Sequence, residues 1–105
     1  MEIVETPLFT RRVQDLLSAE SYRELQILLL DDPATGAVIA GTGGIRKVRW
    51  AGSGRGRRGG VRVIYYAALA HNRLLMLHVY PKNEQDDLTT QQRRVLQALV
   101  TAEFG

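Results

Sequence analysis

The chain has 105 residues, 45% hydrophobic and 24% charged, with a net charge of +3, two His and no Cys. That length and balance suit one folded domain over residues 1–105 with a core of limited size, and argue against disorder. The lack of cysteine excludes a disulfide framework and every thiolate chemistry, and no apolar run is long enough to span a membrane.

The start, Met1-Glu2-Ile3-Val4-Glu5, lacks the cationic and apolar regions of a signal peptide, so a cytoplasmic chain without a membrane partner is expected. Ile3 to Glu5 reads as a short strand. Thr6-Pro7 then reads as N-cap and first helical position, because proline lacks only a donor that a helix leaves unpaired there. Phe9, Val13, Leu16 and Leu17 recur at helical spacing. Ser18 is placed to cap a second helix with Tyr22, Leu25, Leu28 and Leu29 on one side, ending at Asp31-Asp32-Pro33. The stretch from Ala34 to Gly44 reads as a loop.

Three strands are expected next: Ile45 to Trp50, Val61 to Ala67 and Arg73 to Tyr80. Gly52 to Gly60 joins the first two, and Ala70-His71-Asn72 turns between the second and third. Short connections favour antiparallel neighbours. Thr89 with Gln92 matches a capping box, with Leu88 as its staple, ahead of a helix carrying Val95, Leu96, Leu99 and Val100. The expected fold is therefore α+β in the order β-α-α-β-β-β-α, a small antiparallel sheet with one face packed by helices.

The charge is unevenly spread. From Pro33 to Asn83 there are nine basic residues (Arg46, Lys47, Arg49, Arg55, Arg57, Arg58, Arg62, Arg73, Lys82) and no acidic ones. Such a segment suits a polyanion. Gly54 to Gly59 satisfies G-x-G-x-x-G, but a strand follows it where a dinucleotide site needs a helix, and no P-loop lysine is present. What remains is a cationic glycine loop, whose arginines suit bidentate phosphate contacts. Alternation places Lys47 and Arg49 on one face of their strand and Arg46 on the other. Arg62, Ile64 and Tyr66 share a face, and Met76, His78, Tyr80 and Lys82 share a parity. If these faces coincide, Lys47, Arg49, Arg62 and Lys82 line one groove with His78 or a tyrosine nearby. Asp31-Asp32 and Asp86-Asp87 read as helix-edge acids. With no acid in the central segment, the histidines lack the carboxylates a metal site would need, so neither metal nor cofactor is expected.

Gly44-Ile45-Arg46-Lys47-Val48-Arg49-Trp50, the basic glycine loop, Gly60 to Tyr66, Val79-Tyr80-Pro81-Lys82-Asn83-Glu84 and Asp87-Leu88-Thr89 together resemble the HigB branch of RelE-type toxins, in the RelE/ParE superfamily. The resemblance spans almost the whole chain. It implies the toxin of a type II toxin–antitoxin system, a ribosome-dependent mRNA endonuclease. The implied partners are the 70S ribosome, mRNA and a cognate helix-turn-helix antitoxin. Carried over by motif, Lys47, Arg49, Arg62 and Lys82 are the expected catalytic residues. Arg46, Arg55, Arg57, Arg58, Tyr66 and His78 are the expected RNA-binding ones. Leu88 stands near where some relatives carry a catalytic tyrosine, which leaves Lys82, Lys47, His78 or a strand tyrosine as the general base. A ParE-like inhibitor of DNA gyrase and a non-catalytic RNA-binding module are the alternatives.

Overall fold

Strand β1 (Glu2–Glu5) runs into helix α1 (Pro7–Leu16) through Thr6, whose hydroxyl accepts the Phe9 N–H at 3.1 Å. Ser18 caps α2 (Ala19–Asp31) in the same way, accepting the Ser21 N–H at 3.0 Å. The computed structural model describes residues 1–52 and 60–105, so the loop carrying Arg55, Arg57 and Arg58 lies outside the described residues. After α2 come β2 (Ala37–Val38), β3 (Arg46–Trp50), β4 (Val61–Ala68), a single 3-10 turn (Leu69–His71), β5 (Arg73–Pro81) and α3 (Thr90–Phe104). Thr89 and Gln92 form the expected capping box at the start of α3.

Among the described residues the strands form one sheet in the order β1-β5-β4-β3-β2. The fold is α+β, as the pattern of elements predicts, but the sheet is mixed. β1 lies parallel to β5, with Glu2 opposite Arg73 and Glu5 opposite Met76. Connection length indicates antiparallel pairing for strands joined by hairpins; the partner of β1 lies at the other end of the chain, where connection length says nothing. β2 falls in the stretch expected to be loop and pairs antiparallel with β3. Two exposed residues are too few to leave an alternation signal.

Helices cover both faces of the sheet, where one was expected. Phe9, Val13, Leu16, Leu25 and Leu29 pack on Val61, Val63, Tyr65, Leu74, Met76 and Val79. On the opposite face Leu96 of α3 joins Ile45, Ile64, Leu75, Leu77, Tyr80 and Leu88. The interior strand β5 is accordingly buried from Leu74 to Pro81, without the polar alternation of a half-solvated strand.

A β-bulge divides β5. Tyr65 of β4 lies opposite Met76, yet Ile64 lies opposite His78, so Leu77 is the extra residue. The bulge reverses the parity of everything after it. Met76 packs under α1 and α2, while His78 and Tyr80 join the other face. The expectation that Met76 shares a face with His78 and Tyr80 therefore fails at this bulge.

Candidate functional site

Backbone register builds the site. Arg49, Arg62 and Tyr80 stand side by side across β3, β4 and β5, and Lys47, Ile64 and His78 form the adjacent row. Since paired residues project to the same side of a sheet, Lys47, Arg49, Arg62, His78 and Tyr80 share the α3 face. Lys82 sits one step past the β4–β5 ladder, its N–H donating to the Gly60 carbonyl at 3.1 Å. Gly60 has φ of 74°, and a Cβ there would lie 2.5 Å from the Trp50 carbonyl oxygen. A residue with a side chain does not fit that junction, where the strand re-enters the sheet beside Arg62.

Two residues from the acidic and helical end of the chain fold back onto this face. The Asp87 carboxylate lies 3.7 Å from Lys47 Nζ and 3.5 Å from Arg93 Nη2, and it accepts the Leu88 N–H at 2.8 Å. Partial burial works to raise the Asp87 pKa. The Leu88 hydrogen bond and the charges of Lys47, Arg93 and Arg62 outweigh it, holding the carboxyl below its ordinary range. The Tyr80 hydroxyl is pushed the other way: burial raises its pKa against the pull of Arg62, and Asp87 and Asp86 add to the rise. Tyr80 is thus a protonated donor at neutral pH. Its hydroxyl, Arg62 Nε and Arg93 Nε are buried with no hydrogen-bond partner among the described residues.

His78 is buried beside Tyr80, with ring centroids 5.3 Å apart. Burial lowers its pKa, Arg12 lowers it further, and Glu84 partly offsets both. The imidazole is therefore neutral at pH 7. Leu8, Gln91, Gln92, Val95 and Leu96 line a small apolar cavity beside it. Among the described residues no three His, Asp or Glu side chains converge as a metal site requires.

Not every expected residue joins the cluster. Arg46 faces the opposite side, where its Nη1 donates to the Gly36 carbonyl at 2.7 Å. Tyr65 ties down the same segment, donating to the Pro33 carbonyl at 2.7 Å and accepting the Gly36 N–H at 2.8 Å. Tyr66 shares the face of Arg62 but sits beyond Ile64, its ring centroid 5.9 Å from that of Phe104. It lines a cavity of about 360 Å³ with Thr42, His71 and Gln97.

Residues 31–104 match the family described as "RelE toxin of RelE / RelB toxin-antitoxin system". The chain belongs to the RelE toxin family. The matched span holds every residue of the cluster, from Lys47 to Arg93. A mutant of E. coli toxin RelE in the free state, with two arginines replaced by alanine, has a similar fold. The two share 13% identity at a TM-score of 0.59, over 81% of this chain and 86% of that one. In this RelE-family chain, neither Asp87 nor Arg93 is marked by charge or alternation as part of the site. Asp87 reads in sequence as a helix-edge acid, and Arg93 lies outside the basic segment from Pro33 to Asn83, whereas the structure brings both to Lys47. A signal was present, since Asp87-Leu88-Thr89 is one of the motifs that carries the resemblance.

Proposed function

We propose that this protein is a ribosome-dependent mRNA endonuclease that cleaves RNA through its own 2′-hydroxyl. The observation that carries the reading is the Arg49–Arg62–Tyr80 row with Lys47 beside it, several donors on one face of a rigid sheet. In this chemistry the 2′-oxygen attacks the adjacent phosphorus, the bond from phosphorus to the 5′-oxygen breaks, and a cyclic phosphate and a free 5′-hydroxyl result. The proton leaves the 2′-oxygen and another reaches the departing 5′-oxygen, so no oxidant or cofactor takes part.

Arg62 and Arg49 meet the need for charge stabilisation on the pentacoordinate phosphorus, since guanidinium forks match phosphate oxygens and stay protonated. Lys47 serves phosphate binding or proton transfer, and Lys82 proton transfer or support of the leaving oxygen. Tyr80 adds a protonated hydroxyl able to donate into the same space. The loop arginines Arg55, Arg57 and Arg58 suit ribosomal RNA and Tyr66 the flanking RNA, whereas His78, expected to bind RNA, is buried beside Tyr80 and supports the site from beneath. Arg46, engaged with Gly36, supports the sheet that carries the site. A cognate helix-turn-helix antitoxin would neutralise the toxin, and the ribosome and mRNA are its targets in the cytoplasm.

The test is induced expression followed by mapping of mRNA 5′ ends, wild type against Arg62→Ala. New ends in the wild type that vanish in the variant support the reading. Growth arrest with intact mRNA and altered DNA supercoiling overturns it in favour of gyrase inhibition. Equal cleavage by Arg62→Ala removes that residue from the site.

A further inference from the structure

Lys47 Nζ on β3 and Arg93 Nη2 on α3 converge on one atom, Asp87 Oδ2, from separate elements. At 3.7 and 3.5 Å these are ion pairs longer than the 2.7–2.9 Å of a tight charge-assisted hydrogen bond. The other carboxylate oxygen, Oδ1, is held at 2.8 Å by the N–H of Leu88, so the group is fixed at one end by its own turn. Its other oxygen faces two cations, both at ion-pair distance. On the same face, Arg62 Nε, Arg93 Nε and the Tyr80 hydroxyl are buried without hydrogen-bond partners among the described residues. Buried donors of this kind are normally matched, and a planar carboxylate held at one end leaves them unmatched.

A phosphodiester has the missing geometry: two non-bridging oxygens that share one negative charge, and two bridging ones, around a tetrahedral centre. The Asp87 side chain is 45% exposed, so it has room to swing into water when a phosphate takes its place. We infer that Asp87 occupies a phosphate seat in the free protein, standing in for a backbone phosphate of single-stranded RNA that Lys47, Arg62 and Arg93 hold once Asp87 is displaced. Arg93 is thereby a phosphate-binding residue contributed by α3, and Asp87 is a built-in competitor that weakens adventitious anion binding. The choice of RNA as the polyanion rests on the proposed function; the seat itself rests on the geometry.

The test measures binding without cleavage. A short single-stranded RNA, fully 2′-O-methylated, is titrated with full-length protein by fluorescence anisotropy at an ionic strength of about 0.1 M. Two matched pairs of variants separate the seat from bulk charge. Asp87→Asn is expected to tighten binding by about tenfold, while Asp86→Asn, with the same change in net charge, shifts it by at most about twofold. Arg93→Gln is expected to weaken binding by about tenfold, and its neighbour Arg94→Gln by at most about twofold. Thermal unfolding of each variant verifies that it is folded before its affinity is compared.

Equal effects within either pair, or no binding of the probe by any folded variant, overturns the inference. The nuclease reading fails separately. If the binding pattern holds while cellular mRNA stays intact, the seat stands and cleavage is rejected. If mRNA is cut at new sites while Asp87→Asn binds like Asp86→Asn, cleavage stands and the seat is rejected.

Discussion

The Thr6 hydroxyl donates to the carbonyl of Leu77 at 2.8 Å, across 71 positions of sequence, while its oxygen accepts the Phe9 N–H. Leu77 is the extra residue of the β5 bulge, and the Thr6 N–H also donates to the Met76 carbonyl at 3.0 Å. One side chain thus starts α1 and pins the bulge that turns His78 and Tyr80 toward Arg62. Thr6→Val keeps the shape and removes both bonds. It should cost about 2 kcal/mol in urea unfolding, a lost cap plus an unmatched buried carbonyl, and Thr6→Ser should recover most of that.

Stability should fall in mild acid because of His78. The unfolded chain takes up this proton near the ordinary value of 6.5, and the folded protein only at lower pH, because burial and then Arg12 oppose the charge. The unfolded state therefore binds more protons as pH drops below 6.5, and the stability contributed by the neutral ring is lost on passing through the folded pKa. Denaturation midpoints measured from pH 7.5 down to about pH 5 should decline. In His78→Gln that decline should be shallower; an unchanged slope would assign it to other groups.

Gly60→Ala should destabilise by about 1–3 kcal/mol, since its backbone lies in the left-handed region and the added carbon meets the Trp50 carbonyl. Chemical denaturation gives the size of the loss. A fall in RNA affinity among molecules that remain folded would tie this junction to the placement of Arg62 and Lys82.

Arg62→Lys separates charge from geometry. The lysine keeps the positive charge and loses the planar fork, so RNA affinity should stay within a few-fold while the single-turnover cleavage rate drops by about 10²-fold. Arg62→Ala should lower both, and should reduce the slope of log affinity against log salt by about one. A lysine variant that cleaves at the wild-type rate would show that charge alone suffices at this position.

Local chemistry made much of the fold legible. Thr6, Ser18 and Thr89 each accept a backbone N–H at a helix start because a side-chain oxygen at that position needs no distant partner. Alternation also sorted Lys47 and Arg49 from Arg46, and Arg62 from Val61 and Val63, since period two holds wherever a strand is regular. It failed at Leu77, where one inserted residue shifts the parity and the bulge carbonyl is bound by a hydroxyl at position 6. It gave no warning of β1 beside β5, or of helices on both faces.

The net charge of +3 and its concentration between Pro33 and Asn83 belong to the sequence, as do the α+β order and the motifs of the RelE family. These depend on which residues are neighbours in the chain. The tertiary structure decided that Arg49, Arg62 and Tyr80 form one row, and that Asp87 and Arg93 return from the C-terminal region to meet Lys47. The physical reason is that electrostatics and hydrogen bonding act through space. Register and a bulge bring Lys47 within 3.7 Å of Asp87, 40 positions away in sequence, and Thr6 within 2.8 Å of Leu77, 71 positions away.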